Sequence, residues 1–211
     1  MPYTSTPLHS YNVAVTLHNI ACNRSCRSEM VNRSVVACLL SLSTPPPPTP
    51  VATEGQAPEE GSGGGGGGEQ HLKPTAASAE QEQGERARLL ECVAVTLECL
   101  SLNVGTRRRT IQEGAVRIVL NLLEQLEQQP AACGPRALQA CAQALHAFSA
   151  FDDCAGPLLK HQAVPALVKL SGAAGALLAA RESYVAAFCN LLSLEGNHAV
   201  VLDQVRSSMS R

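Results

Sequence analysis

Apolar residues along the chain recur at spacings of three and four, the period of a helix with one buried face. Between residues 89 and 127, Leu90, Val93, Leu97 and Leu100 form one such series, and a polar break follows from Asn103 to Arg109. Past Gly114 a second series begins with Val116, Val119, Leu120 and Leu123. The pattern predicts a helix, a short helical turn, a Gly and another helix. A unit of this kind leaves apolar faces open on both sides, so it requires neighbours like itself.

The neighbours are legible as repeats. Val13, Leu17 and Ile20 repeat the first series eighty residues earlier, and Val36, Leu39 and Leu40 repeat the second. Forty-eight residues later the two series return as Leu138, Cys141, Leu145, Phe148 and as Val164, Leu167, Val168. Tyr184, Phe188 and Leu191 supply a last copy of the first series. The pairs Leu17/Val36, Leu97/Val116 and Leu145/Val164 are each nineteen positions apart. That constancy predicts an all-α chain built as a helical repeat array.

Residues 1–10 are expected to be a frayed lead-in and 11–43 a first partial repeat. Residues 85–205 are expected to hold the main helical repeats, with 206–211 as a tail. The segment 44–84 differs in kind: it holds the proline run Pro45–Pro48, six consecutive glycines and almost no bulky apolar residue. Prolines favour extended chain and glycines favour coil. A disordered, locally acidic insertion into one inter-helix loop is the expectation. Whether residues 11–43 dock on 85–205 or form a separate helix pair stays open. The last repeat stops short of its second long helix, which suggests docking through the ends, self-pairing or a truncated fragment of a larger protein.

Composition narrows the function classes. Apolar residues make up 45% of the chain but aromatics only 3%, with no Trp, so base stacking has little to work with. The formal net charge of −2 argues against a general affinity for phosphate backbones, and no nucleic acid partner is expected. Apolar runs such as Ala173 to Ala180 fall short of the ~20 residues a membrane span needs. The polar, Pro-broken first ten residues lack the form of a signal peptide. With nine cysteines, an odd number, an intracellular, cytoplasmic (or nuclear) location is expected. No phosphate loop, GxSxG or HExxH is present, so neither catalysis nor a cofactor is expected.

The segments VAVTLHNIA (13–21), VAVTLECLS (93–101) and YVAAFCNLL (184–192) resemble the third helix of an armadillo repeat. RRTIQEGAVRIVLNLLE (108–124) and GPLLKHQAVPALVKL (156–170) resemble its short first helix, turn and second helix. The resemblance to armadillo, or to the related HEAT arrays, implies a right-handed α-solenoid. It also implies a concave groove, lined by the third helices, that holds an extended peptide or helix of a protein partner. In the family's import adaptors and catenin-like members this helix presents a Trp and, four positions on, an Asn. Here the Asn position holds Asn19, Cys99, Ala147 and Asn190, and the Trp position Val15, Val95, Gln143 and Ala186. Gly114 matches the family's turn glycine, whereas Ser34 and Gln162 depart from it.

Other residues invite chemistry. Arg107, Arg108 and Arg109 form the densest basic cluster, read either as a solvated loop, as a handle for an acidic partner, or as a kinase recognition run with Thr110 as acceptor. His18, Cys22 and Cys26 are spaced four apart, but they lack the paired CxxC arrangement of a zinc site, and no metal is expected. The prolines Pro45–Pro48 offer a ligand for an SH3 or WW reader. Asp152 and Asp153 read as dipole-stabilising acids at a helix start. The chain therefore reads as a non-catalytic protein–protein scaffold. The alternatives are a nuclear-import-type cargo adaptor and a regulatory subunit of an enzyme complex.

Overall fold

A computed structural model describes residues 7–45, 76–128, 134–173 and 177–210. Among the described residues the regular structure is all helical, with no strand. In order come α1 (Pro7–Cys22), α2 (Arg27–Asn32), α3 (Val35–Ser43), α4 (Ala76–Ser101), α5 (Arg107–Gln112) and α6 (Ala115–Gln128). They are followed by α7 (Pro135–Ser149), α8 (Asp152–Lys160), α9 (Ala163–Ala173), α10 (Leu178–Leu192) and α11 (His198–Met209). Short 3-10 turns at Arg24–Cys26, Val104–Thr106 and Glu195–Asn197 precede α2, α5 and α11.

The most extensive packing links α1 to α4, α4 to α7 and α7 to α10, a row of four helices in chain order. In a second row α3 meets α6, α6 meets α9, and α9 meets α11. The short helices α5 and α8 also pack on each other. Residues 7–43 are therefore docked on the rest of the described chain, through α1 on α4 and α3 on α4 and α6.

The two apolar series of the central unit are fully inside: Leu90, Val93, Leu97 and Leu100 on α4, and Val116, Val119, Leu120 and Leu123 on α6. Burying an aliphatic side chain of this size contributes about 1.5–3 kcal/mol. At the edge of the row the prediction shifts. On α1, Ala14 and Ala21 are buried while Val13 and Leu17 are half-buried and Ile20 is 41% exposed. Among the described helices α1 has a row neighbour on one side only, α4.

Three boundaries move outward from the sequence prediction. Helix α4 starts at Ala76, inside the segment predicted to be a disordered linker to residue 84. Its first turns, AASAEQEQGERA, are rich in Ala, Glu, Gln and Arg, and this propensity extends the helix beyond the packed region. Residues 46–75, with most of the proline run, lie outside the described residues; Pro45 is exposed. Helix α1 opens at Pro7 rather than after residue 10, consistent with the preference of proline for a first turn. At the other end α11 runs through Arg206 to Met209, where a tail was expected.

The turns before α3, α6 and α9 are the same. Ser34 has φ 58°, Gly114 φ 117° and Gln162 φ 64°, all left-handed. They are offset by eighty and forty-eight positions, the spacing of the apolar series. Glycine adopts this conformation at little steric cost, and Ser and Gln pay for it. Gly114 is also closed to a side chain, because an added Cβ would meet Leu40 Cδ2 at 3.3 Å. The departure of Ser34 and Gln162 from glycine is thus one of residue type and not of backbone. In α11 the matching register position is Val205, a β-branched residue that disfavours positive φ, and there the helix runs on without a break.

Candidate functional site

Equivalent positions on the row of four helices define the candidate partner-binding face. Asn19 is exposed on α1, and Cys99, Ala147 and Asn190 are half-buried on α4, α7 and α10. Helix α10 sits offset along α7. Asn190 Nδ2 donates to Ser149 Oγ at 3.1 Å, two residues beyond Ala147. Asn190 therefore serves the α7–α10 contact with one of its amide hydrogens. Across α4 and α7, Arg136 Nη2 lies 2.9 Å from Glu98 Oε2, adding an ion pair to the same region.

The basic cluster divides into three different environments. Arg107 is buried: its Nε donates to the Ser101 carbonyl at 2.6 Å, and its guanidinium stands 4.1 Å from the Phe151 ring centroid. Burial pushes its pKa below the ordinary Arg value. Arg107 is consequently a tie between α4, α5 and the segment leading to α8, and not a solvated handle. Arg109 pairs with Glu113 Oε1 at 2.6 Å and donates through Nη1 to Asn32 Oδ1 at 3.0 Å, bridging α5 to α2. Arg108 is exposed. Thr110 is buried with its hydroxyl donating to the Thr106 carbonyl at 2.9 Å, so it cannot serve as a kinase acceptor in this fold.

The His and Cys residues near the end of α1 also separate. Because α1 continues to Cys22, His18 and Cys22 share one face, with Nε2 and Sγ 3.7 Å apart. Cys26 lies past the helix end, its sulphur 3.9 Å from Ser25 Oγ. Among the described residues no group of three or more His, Cys, Asp or Glu side chains is placed to hold a metal ion. Asp152 and Asp153 open α8, where acids favour the helix dipole. Among the described residues no single helix is long and apolar enough to cross a membrane.

Two polar constellations escaped the sequence reading. In the first, Arg27 Nε donates to the Ala21 carbonyl at 2.8 Å, the counterpart of Arg107 on Ser101. His198 Nε2 sits 2.7 Å from the Leu192 carbonyl at the same separation of six residues. Each group meets a carbonyl at the end of the preceding row helix, where backbone acceptors lack intrahelical partners. Ahead of the two Arg clasps, Asn23 and Asn103 side chains accept from the amides of Ser25 and Gly105. Asn four residues before Arg, twice at an interval of eighty, was the available signal.

The second constellation joins the end of α3 to α4 and α6. Arg86 donates to the carbonyls of Leu42 (3.1 Å) and Thr44 (2.9 Å) and to Gln125 Oε1 (2.7 Å). Gln125 Nε2 in turn donates to the Ser43 carbonyl at 2.6 Å, and Asn121 Nδ2 to Ser43 Oγ at 3.1 Å. Two buried amides four apart in the apolar α6 were its trace in the sequence. A cleft of about 560 Å³ opens between α9 and α11, lined in part by Pro165, Val168, Val200 and Gln204. Gln204 Nε2 donates there to the Leu159 carbonyl at 2.9 Å.

No protein-family model matches the chain, and neither a curated protein nor a solved structure does.

Proposed function

We propose that this protein is a non-catalytic interaction scaffold, a right-handed armadillo-like α-solenoid that holds an extended segment of a protein partner. The partner lies across α1, α4, α7 and α10, along a concave face that includes Asn19, Cys99, Ala147 and Asn190. One observation carries the reading: the left-handed turns at Ser34, Gly114 and Gln162 fall at one register position of three successive units. Apolar periodicity recurs in many helical proteins, whereas a shared turn at the same place in each unit is the mark of a repeat.

Asn19 and Asn190 supply the ligand contacts in this reading, since an amide can match the donors and acceptors of an extended backbone. The cargo-adaptor alternative has weaker support, because Val15, Val95, Gln143 and Ala186 provide no aromatic slot for basic side chains. The test is affinity capture with the tagged chain and with an Asn19→Ala/Asn190→Ala variant of unchanged helicity. Near-stoichiometric retention of one partner, lost in the variant, supports the scaffold. Retention that survives in the variant but depends on Arg108, or on the cleft between α9 and α11, overturns the assignment to this face.

A further inference from the structure

Helix α10 carries a line of exposed apolar side chains from its first residue to its last: Leu178, Val185 and Leu192, which are 67%, 47% and 40% exposed. They stand seven apart, about two helical turns, and so share one side of the helix. The other row helices bury that side. Five positions before the shared register of Asn19, Cys99, Ala147 and Asn190 lie Ala14, Ala94, Ala142 and Val185. Two positions after it lie Ala21, Ser101, Ser149 and Leu192. On α1, α4 and α7 both positions are small and buried. Ser149 Oγ accepts from Asn190 Nδ2 at 3.1 Å, so on α7 this side meets the following row helix. Among the described residues no row helix follows α10. Small side chains let two helices approach closely, and a change to Val and Leu widens the spacing. The open side of α10 is therefore shaped for a partner other than a further repeat of the same kind.

We propose that this stripe joins two copies of the chain about a two-fold axis at Val185, with the two α10 helices antiparallel. The stripe reads the same in both directions: Leu, six residues, Val, six residues, Leu. A two-fold contact requires such self-complementarity, since residue i meets j and j meets i. Val185 meets its own copy, and Leu178 of each chain meets Leu192 of the other. Charge selects the antiparallel pair. Arg181 and Glu182, the charged residues of α10, lie four and three positions from Val185, so the two-fold sets each roughly 9–12 Å along the helix from its own copy. A parallel pair would put Arg181 beside Arg181 and Glu182 beside Glu182. Head-to-tail growth lacks a matching surface, because α1, at the other end of the row, exposes His9, Asn12, Thr16 and Asn19 beside Ile20 and Cys22. The contact closes at two copies and takes three large apolar side chains of each chain out of water.

The experiment follows the mass of the full chain by sedimentation equilibrium in reducing buffer as its concentration is raised. The expected mass climbs to that of two chains. Val185→Asp, which sets two carboxylates against each other at the axis, should hold the chain as a monomer of unchanged helicity. Ile20→Asp, at the other end of the row, should leave the dimer intact. Cross-linking reads the geometry, with Cys189→Ser as the parent because that thiol lies on the same tryptic peptide as residue 185. Under mild oxidation Val185→Cys should be recovered as residues 182–206 joined to their own copy. Leu178→Cys should not link to itself, yet it should link to Leu192→Cys when the two variants are mixed. A chain that stays monomeric at every concentration overturns the proposal, as does a dimer that survives Val185→Asp or is lost in Ile20→Asp. Self-linking of Leu178→Cys overturns the antiparallel arrangement.

Discussion

Arg107 reaches back from α5 to the carbonyl of Ser101, and Arg27 makes the same bond to Ala21 one unit earlier. Both clasps fasten the end of a row helix to the short helix that follows. Arg107→Ala leaves the Ser101 carbonyl without this donor and removes the cation from the Phe151 ring. Hydrogen bonds to charged groups contribute about 1.5–3 kcal/mol, so a loss of roughly 2 kcal/mol is expected in urea unfolding. Arg107→Lys should recover only part of it, because an ammonium cannot reproduce the Nε geometry while lying flat on a ring. An Arg107→Ala protein as stable as the parent would show that the clasp is incidental.

The three left-handed turns give substitutions of opposite sign at one register position. Ser34→Gly and Gln162→Gly relieve a backbone cost of about 1–2 kcal/mol per residue, offset by the greater unfolded-state freedom of glycine. A net gain of about 0.5–1 kcal/mol is expected at each. Gly114→Ala introduces both the strained φ and a contact with Leu40 Cδ2, and should cost at least ~1 kcal/mol. Thermal midpoints of the three variants decide the matter. A stabilising Gly114→Ala would contradict the geometry.

Arg86 holds the carbonyl end of α3, so Arg86→Ala should loosen residues 7–44 before it affects the rest. Hydrogen exchange is the suitable measurement. Amides of α1 and α3 should exchange faster in the variant while those of α7 to α9 keep their protection. Uniform acceleration across all helices would mean that the first unit has no independent opening.

Cys154 gives a pH dependence. Burial, then the neighbouring Asp153, pushes its thiol up from 9.0 to about 11. The folded state therefore holds its proton where the unfolded chain has released it. This contribution is fully present below about 9 and is lost as pH rises through about 11. Stability should fall across that window, and Cys154→Ala should flatten the slope. At pH 8 a thiol reagent should modify exposed Cys22 and Cys189 well before Cys154. An equally rapid reaction at Cys154 would show that α8 opens readily.

The α4 and α6 core was legible because each helix has neighbours on both sides and its apolar stripe is buried whole. On α1 the same stripe misled. Ile20 falls at the register of Leu100, yet it is largely exposed, because burial at the edge of a row depends on which neighbours exist. Register alone does not carry that information. The basic run around Arg107 reads as one surface feature in the sequence, since charge is normally solvated. The structure separates it because a guanidinium can satisfy a helix-end carbonyl and cover a ring at once. Ser34 and Gln162 hid the shared turn, as neither residue type announces a positive φ. Spacing puts Asn19 and Asn190 at one register position of the row, whereas nothing in the spacing announces the bond from Asn190 to Ser149.

The Arg86 clasp gathers the last residues of α3 against α4, ten residues after that helix begins. Loop-closure entropy changes slowly with length, by about 0.6 kcal/mol for each doubling. The polypeptide can then be cut between residues 45 and 76 without removing a contact described above. Residues 7–45 and the rest should therefore act as complementary fragments, and residues 7–45 expressed separately should reassemble on the remainder.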